Sequence, residues 1–404
     1  MTRRSDPADG CEDERLARAH LSRVAEPGDR AVTGSASPGR WAAVLADLRR
    51  GRGPDVWQTR HDRLEESTTE LVARGARCGI ELLTPADPAW PDGLRDLAEL
   101  SPRTDPDGGA PICLWVRGQL PACPPPAVAV VGARACTAYG EHVAAELGAG
   151  LVTRGWTVVS GAAYGIDAAV HRGALAAADG AASPTVAVLA GGVDRASPAG
   201  HEDLLRRTVE AGGAVVSEVP PGTRPAAYRF LLRNRLIAAW GLGVVVVEAS
   251  HRSGALNTVR TAVDLSRHVA AVPGPVTSTA SVGTNRLLRD GAACVTGADD
   301  VVELLGRMGL FAPGPTSPGF GATGREEDAQ AALAQRSGPH GLRVWQSLRP
   351  GRARDLDHLV VEVGLAHRLV ATALAGLELA GVAVRGESGW RRGGTVGAGG
   401  VVVP

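Results

Sequence analysis

The sequence predicts an α/β protein: an extended Rossmann-like, mostly parallel sheet with helices on both faces, plus a small N-terminal helical region and a C-terminal winged helix. Three observations carry this. Short Val/Ala runs such as Val128 to Val131, Thr185 to Leu189 and Gly243 to Val247 are apolar without alternation, the pattern of strands buried on both faces. Each ends in small residues and is followed by a stretch of helical spacing, the alternation that builds a parallel sheet. The junctions are glycine-rich, most clearly in VVSGAAYGIDAAVHRGAL (Val158 to Leu175), where a strand runs into a turn that opens a helix. Such a turn exposes backbone N–H groups at a helix N-terminus, which favours a phosphate.

In chain order, residues 1–75 are charged and alanine-rich, with helical spacing over Glu14 to Val24 and Trp41 to Arg50. These read as a degenerate helical, SAM-like region. Cys78 to Leu83 and Ile112 to Val116 are expected strands, and Asp87-Pro88-Ala89-Trp90-Pro91 is a turn before a short helix. From Pro126 the alternation is regular. Expected helices cover Tyr139 to Thr153, the stretch after Gly165, His201 to Ala211, Arg224 to Ala239 and Ser253 onward. The strands between them end at Gly132-Ala133-Arg134, Ser160-Gly161, Gly191-Gly192, Ser217-Glu218 and Ala249-Ser250. His268 to Val272 closes the core at Pro273-Gly274-Pro275, so residues 76–305 form the expected Rossmann-like domain. Residues 306–338 are rich in Gly, Pro and Ser and read as a linker. In residues 339–404, three helical segments (Leu342 to Leu348, Asp355 to Val361, Ala366 to Ala380) precede a hairpin over Val382 to Arg392, the winged-helix pattern.

Composition removes several chemistries. All 43 basic residues are Arg, so there is no Walker lysine, Schiff-base lysine or lysine general base. Six cysteines without a CxxC pair argue against a disulfide framework or a zinc site, and buried free thiols are expected. The formal net charge is zero, no apolar run is long enough for a bilayer, and the start lacks a signal-peptide core, so a cytoplasmic location without membrane partners is expected. Neither Glu218 nor Glu248 has a metal-binding spacing, and no cofactor is expected.

The turn sequences carry the chemistry. VVGARACTAYG (Val130 to Gly140) is not GxGxxG, which disfavours a dinucleotide, but Arg134 is placed for a phosphate. Ser160, Asp167 and His171 contain the residue types of a catalytic triad. Asp167 and His171, however, lie i,i+4 on one helix, and Ser160 is not on a nucleophile elbow. Asp167 is therefore expected to stabilise the helix N-terminus and His171 to pack or hydrogen-bond. Tyr228-Arg229-Phe230-Leu231-Leu232-Arg233-Asn234-Arg235 combines arginines with rare aromatics, the means by which single strands are held. Ser253 and Gly254 could add N–H and hydroxyl donors after the VVVV strand.

Together these stretches resemble the DprA (DNA-processing, Smf) family. The resemblance lies in Gly132-Ala133-Arg134 with Tyr139-Gly140, SGAAYGID with His171 and Gly173-Ala174-Leu175, AVLAGGVD (Ala187 to Asp194) and Ser217-Glu218. It continues through Phe230 with Arg233-Asn234-Arg235, VVVVEAS with Ser253-Gly254-Ala255-Leu256, and Val272-Pro273-Gly274. It implies a non-enzymatic mediator that binds single-stranded DNA, dimerises, protects exposed strands and helps load the RecA recombinase. Arg134, Ser160, Gly161, Gly165, Arg233 and Arg235 match the motif positions. Gly132, Arg229, Phe230, Asn234, Ser253 and Gly254 complete the expected DNA-binding set. The chain departs from the family pattern at Ser183-Pro184-Thr185, where a basic residue is common, at Ser197-Pro198 and in its N-terminal region, which lacks a GxGxxT-like hairpin. Two rival readings are a nucleoside-monophosphate phosphoribohydrolase, whose PGGxGTxxE stretch is missing here, and a duplex-DNA regulator acting through the winged helix.

Overall fold

A computed structural model describes residues 7–29, 40–100, 108–306, 337, 340–349, 353–386 and 388–393. The chain divides into two compact units, 1–311 and 312–404.

Among the described residues the first unit opens with the helices α1 (Pro7–Val24), α2 (Arg40–Arg49), α3 (Asp55–His61) and α4 (Thr68–Arg77). The last is stopped at its start by a capping box, Ser67 and Glu70 each accepting the other's backbone N–H. Then β1 (Ile80–Leu83) and β2 (Leu114–Gly118) lead into the βα repeats. These are β3 (Ala127–Val131), α5 (Ala138–Thr153), β4 (Thr157–Ser160), α6 (Ile166–Ala176), β5 (Thr185–Leu189), α7 (Glu202–Glu210), β6 (Ala214–Ser217) and α8 (Ala227–Trp240). β7 (Gly243–Val246), α9 (Ala255–Asp264), β8 (His268–Ala271), α10 (Val282–Arg289), β9 (Ala293–Cys294) and α11 (Ala298–Leu305) complete the unit.

The nine strands form one sheet in the order β1-β2-β6-β5-β4-β3-β7-β8-β9. Strands β3 to β9 pair in parallel, except that β6 also meets β2 antiparallel and β2 meets β1 antiparallel. The chain builds outward from β3 through β4, β5 and β6, then returns to the other side of β3 to lay down β7. That reversal between β3 and β7 opens a crevice at the carboxyl ends of the two strands.

Strand residues alternate between two cores, as the two-residue period requires. Ala127, Ala129 and Val131 of β3 face Leu236, Ile237 and Ala238 of α8 and Val259 of α9. Val128 and Val130 face Leu147 and Leu151 of α5 and Ile166 and Val170 of α6. On that second face, the half under β5 and β6 is covered by the N-terminal helices: Leu21, Trp41, Leu45, Trp57 and Leu71 share a core with Trp115, Leu189 and Val215. The described helices of the 1–75 region therefore form part of the cover of the sheet. Polar contacts fix them there. Arg15 donates to both Asp87 carboxylate oxygens at 2.6 and 2.7 Å, and Arg18 donates to the Ile112 carbonyl at 2.8 Å. Asp87 also accepts from the Thr84 N–H at 2.6 Å.

The second unit has its own apolar core. Helices α12 (Gly341–Ser347), α13 (Leu356–Val363) and α14 (His367–Leu379) enclose Val344, Leu359, Leu374 and Leu377 beside the hairpin β10 (Ala383–Gly386) and β11 (Gly389–Arg392). The expected linker falls almost wholly outside the described residues. Among described residues no single helix is long and apolar enough to cross a membrane, and no group of three His, Cys, Asp or Glu side chains could hold a metal. One expectation fails. Cys113 is buried, and burial pushes its thiol up to about 12, but Cys78, Cys123 and Cys294 are exposed. A cysteine in an apolar run is carried inside with the strand, whereas these three sit in turns or at the sheet's edge.

Candidate nucleic-acid interface

The β3–β7 crevice is a cleft of about 500 Å3. Its walls are the turn after β3 (Gly132 to Ala135), the first turns of α8 (Phe230, Leu231, Asn234) and the loop after β7 (Ser250, Ser253, Gly254). Seven of the expected residues therefore meet in one place: Gly132, Arg134, Phe230, Arg233, Asn234, Ser253 and Gly254.

Arg134 is exposed, and its guanidinium carbon lies 5.0 Å from the centre of the Phe230 ring. A guanidinium on an aromatic face keeps its edge donors free, so the pair offers a cation beside a stacking surface. A buried carboxylate holds this turn in place. Glu248, which ends the VVVV strand at 1% exposure, accepts from the Thr137 N–H at 2.9 Å and from the Thr137 hydroxyl at 2.6 Å. Thr137 in turn caps α5, accepting from the Gly140 N–H at 3.1 Å. The Ala133 N–H donates to the Glu248 carbonyl at 2.7 Å, which ties β3's turn to β7's end a second time. Glu248 is outside the expected set, and its signal in the sequence is a carboxylate at the end of a wholly apolar strand.

Arg233 forms the floor of the cleft rather than its rim. It is 5% exposed, and its Nη1 donates to the Val188 carbonyl at 2.6 Å. Burial pulls its pKa down to about 10, opposed by the nearby Asp167 carboxylate. Its Nε is buried and has no hydrogen-bond partner among the described residues. Gly161 makes room for it: a Cβ there would stand 1.9 Å from Nη1.

The turn after β4 differs from the open phosphate cradle that its sequence suggested. Ser160 is fully buried and donates its hydroxyl to the Val130 carbonyl at 2.7 Å. Asp167, 7% exposed, accepts from the Ala163 N–H at 3.4 Å. The N-terminus of α6 thus receives its anion from within the chain, and burial raises the Asp167 pKa. Gly165, at φ +78°, seats the turn against the Ala133 and Arg134 carbonyls. Ser160, Gly161 and Gly165 shape the cleft from behind. His171, fully buried, donates from Nδ1 to the Thr185 hydroxyl at 2.7 Å, because that hydroxyl is itself donated to the Val158 carbonyl. The triad residue types are not wired as a triad: the Ser160 hydroxyl donates to the Val130 carbonyl and His171 Nδ1 is engaged by Thr185.

Two arginines of the α8 cluster lie elsewhere. Arg235, 3% exposed, makes a two-point pair with Glu218 at 2.8 and 2.8 Å and donates from Nε to the Gly109 carbonyl. Arg229 makes a two-point pair with Glu26, at 3.0 Å for each bond, and Arg60 donates to the same carboxylate at 2.7 Å. Both were expected on the DNA face. In this structure they anchor α8 to the end of β6 and to the N-terminal helices.

The family model for DNA recombination-mediator protein A matches residues 81–306. The chain belongs to the DNA recombination-mediator protein A family. It is 44% identical over 383 residues to a Mycobacterium tuberculosis protein named for DNA processing, DprA, covering 92% of this chain and 93% of that one. It is 42% identical over 195 residues to protein Smf of Escherichia coli, covering 48% of this chain and 51% of that one. Among solved structures it is similar to the DNA processing protein A of Streptococcus pneumoniae, with a TM-score of 0.57 and 28% identity over 72% of this chain and 98% of that one. The mostly parallel sheet and its helices match that structure, and membership gives the chain the family's DNA-processing, recombination-mediator role. The family match begins at β1 and ends after α11, so the cleft and every residue lining it lie inside it.

Proposed function

We propose that the protein binds single-stranded DNA along the carboxyl edge of its sheet, protects it without chemical turnover, and as a homodimer delivers it to the RecA recombinase. The observation that carries this is the exposed Arg134 guanidinium stacked on Phe230 at the mouth of a cleft floored by Arg233. Arginine neutralises a phosphate while the aromatic face takes a base, which gives affinity with little sequence preference. Ser253 adds a hydroxyl on the opposite wall, to which Asn234 ties α8 by donating to the Gly254 carbonyl. The three-helix and hairpin unit at 341–392 is read as a winged helix that docks a partner.

The test is fluorescence anisotropy of labelled oligothymidine beside a duplex of equal length across a salt series. Single-strand preference that falls with salt is the expected result, and Arg134→Ala should reduce the salt slope by about one. Duplex preference, or an Arg134→Ala variant that binds with the original slope, would overturn the reading. RecA delivery is read separately, as faster filament nucleation on oligonucleotide already coated with single-strand-binding protein. Sedimentation equilibrium reads the dimer.

A further inference from the structure

We propose that Tyr164 is a second nucleobase-stacking subsite, next to the cleft, for a single strand lying along the carboxyl edge of the sheet. It rests on the single-strand reading above and extends it to a residue outside the expected set.

The chain uses its aromatic residues in two separate ways. Tryptophan builds the interior: Trp41, Trp57, Trp90, Trp115, Trp156 and Trp345 are all buried. The three tyrosines of the chain, Tyr139, Tyr164 and Tyr228, are all exposed, at 44%, 53% and 49%. Each lies beyond the carboxyl end of a strand or on the first turn of α8. Two of them have evident anchoring work. The Tyr139 hydroxyl donates to the Pro273 carbonyl at 2.8 Å, and Tyr228 lies against Arg229 and Glu26.

Tyr164 has no such bond among the described residues, yet its ring is held. The His201 ring meets it at 4.7 Å with an interplanar angle of 68°. His201 is itself fixed, donating from Nδ1 to the Ala162 carbonyl at 2.8 Å. Beside it, a Cβ on Gly200 would stand 3.0 Å from the Tyr164 hydroxyl, so the glycine lets the ring lie close over this turn. The result is an aromatic ring restrained from below and open to solvent, and a base stacked on it would order little that is not already ordered.

The position is contiguous with the cleft. Ala163 lines the cleft, and Gly165 is packed on the Arg134 carbonyl, so Tyr164 stands on the loop behind the Arg134 turn. A strand whose phosphate sits on Arg134 and whose base meets Phe230 has its neighbouring nucleotide over Tyr164. The subsite takes any base, because stacking uses the π-face that all bases share.

The experiment uses the full chain and labelled oligothymidine over a salt series, with Tyr164→Leu, Tyr164→Phe and Arg134→Ala. Tyr164→Leu should weaken binding roughly tenfold with an unchanged salt slope, since no charge is lost. Tyr164→Phe, which keeps the ring, should bind like the unmodified protein. Irradiation of oligonucleotide carrying 5-iodouracil should yield an adduct mapped to Tyr164 by mass spectrometry. Tyr164→Leu binding as tightly as the unmodified chain, while Arg134→Ala is weakened, would remove the subsite and leave the cleft reading standing. A loss that Tyr164→Phe shares would equally overturn stacking, by pointing to the hydroxyl. An unmodified chain that ignores single strands would remove both readings.

Discussion

At the residue scale, the floor of the cleft is a buried charge with few partners, which makes it a point of stability as well as of binding. Arg233→Ala removes the donor to the Val188 carbonyl and leaves the buried Asp167 without its opposing cation. The loss should be about 3 kcal/mol, read as a shift in the urea midpoint. Gly165→Ala combines a positive φ with a Cβ 2.2 Å from the Ala133 carbonyl oxygen, so the Arg134 turn must move or the protein must lose stability. His171 sets a pH dependence. Burial holds its folded pKa at about 3, so below pH 6.5 the unfolded chain takes up a proton that the folded chain refuses. Stability is therefore fully present above pH 6.5 and falls on acidification toward pH 3, by about 1.4 kcal/mol per unit for this one group. His20, held at about 4 by burial and by His61, acts with the same sign. Asp167 acts with the opposite sign, since its raised pKa favours the folded state as the carboxyl protonates. Urea midpoints at several pH values, compared with a His171→Gln variant, separate these contributions.

At the scale of elements, α8 is positioned by two carboxylates from separate parts of the chain, and this is where the sequence was least legible. The arginine-aromatic run announces a basic helix, but a sequence displays charges without their partners. Arg235 meets a glutamate 17 residues away and Arg229 one 203 residues away, and nothing in the local pattern distinguishes them from Arg134. The strands were legible because their Val runs are buried on both faces. Helices α10 and α11 and the two-residue β9 were not, being short and marked by no strong turn chemistry beforehand. The antiparallel attachment of β1 and β2 was also hidden, since pairing direction depends on the path of the connection. The helical anchors make separable predictions. Glu26→Gln should cost about 1 kcal/mol, since the pair is a quarter exposed, and should speed hydrogen exchange over residues 227–231. Glu248→Ala strands the Thr137 donors inside the protein and should cost about 2 kcal/mol while weakening oligothymidine binding through the Arg134 turn.

At the scale of the whole molecule, the first unit contains the complete sheet with its three apolar cores, and the second has a core of its own. A 1–311 fragment should therefore unfold cooperatively and keep the full chain's affinity for oligothymidine, as measured by calorimetry and anisotropy. The N-terminal helices are not removable in the same way: truncation at residue 76 uncovers Trp115, Leu189 and Val215 and should yield an aggregating product. The placement of β7 beside β3 also has a consequence for biosynthesis. The Arg134 turn is made early, but the Glu248 carboxylate that holds it and the opposite wall at Ser253 and Gly254 come much later in the chain. At bacterial rates of about 5–20 residues per second, the growing chain spends several seconds with Arg134 made but its turn not yet held and the cleft incomplete. A nascent protein is thus unable to seize nucleic acid until its sheet is nearly whole, and ribosome-stalled chains ending before residue 250 should pass over an oligothymidine column that retains the released product.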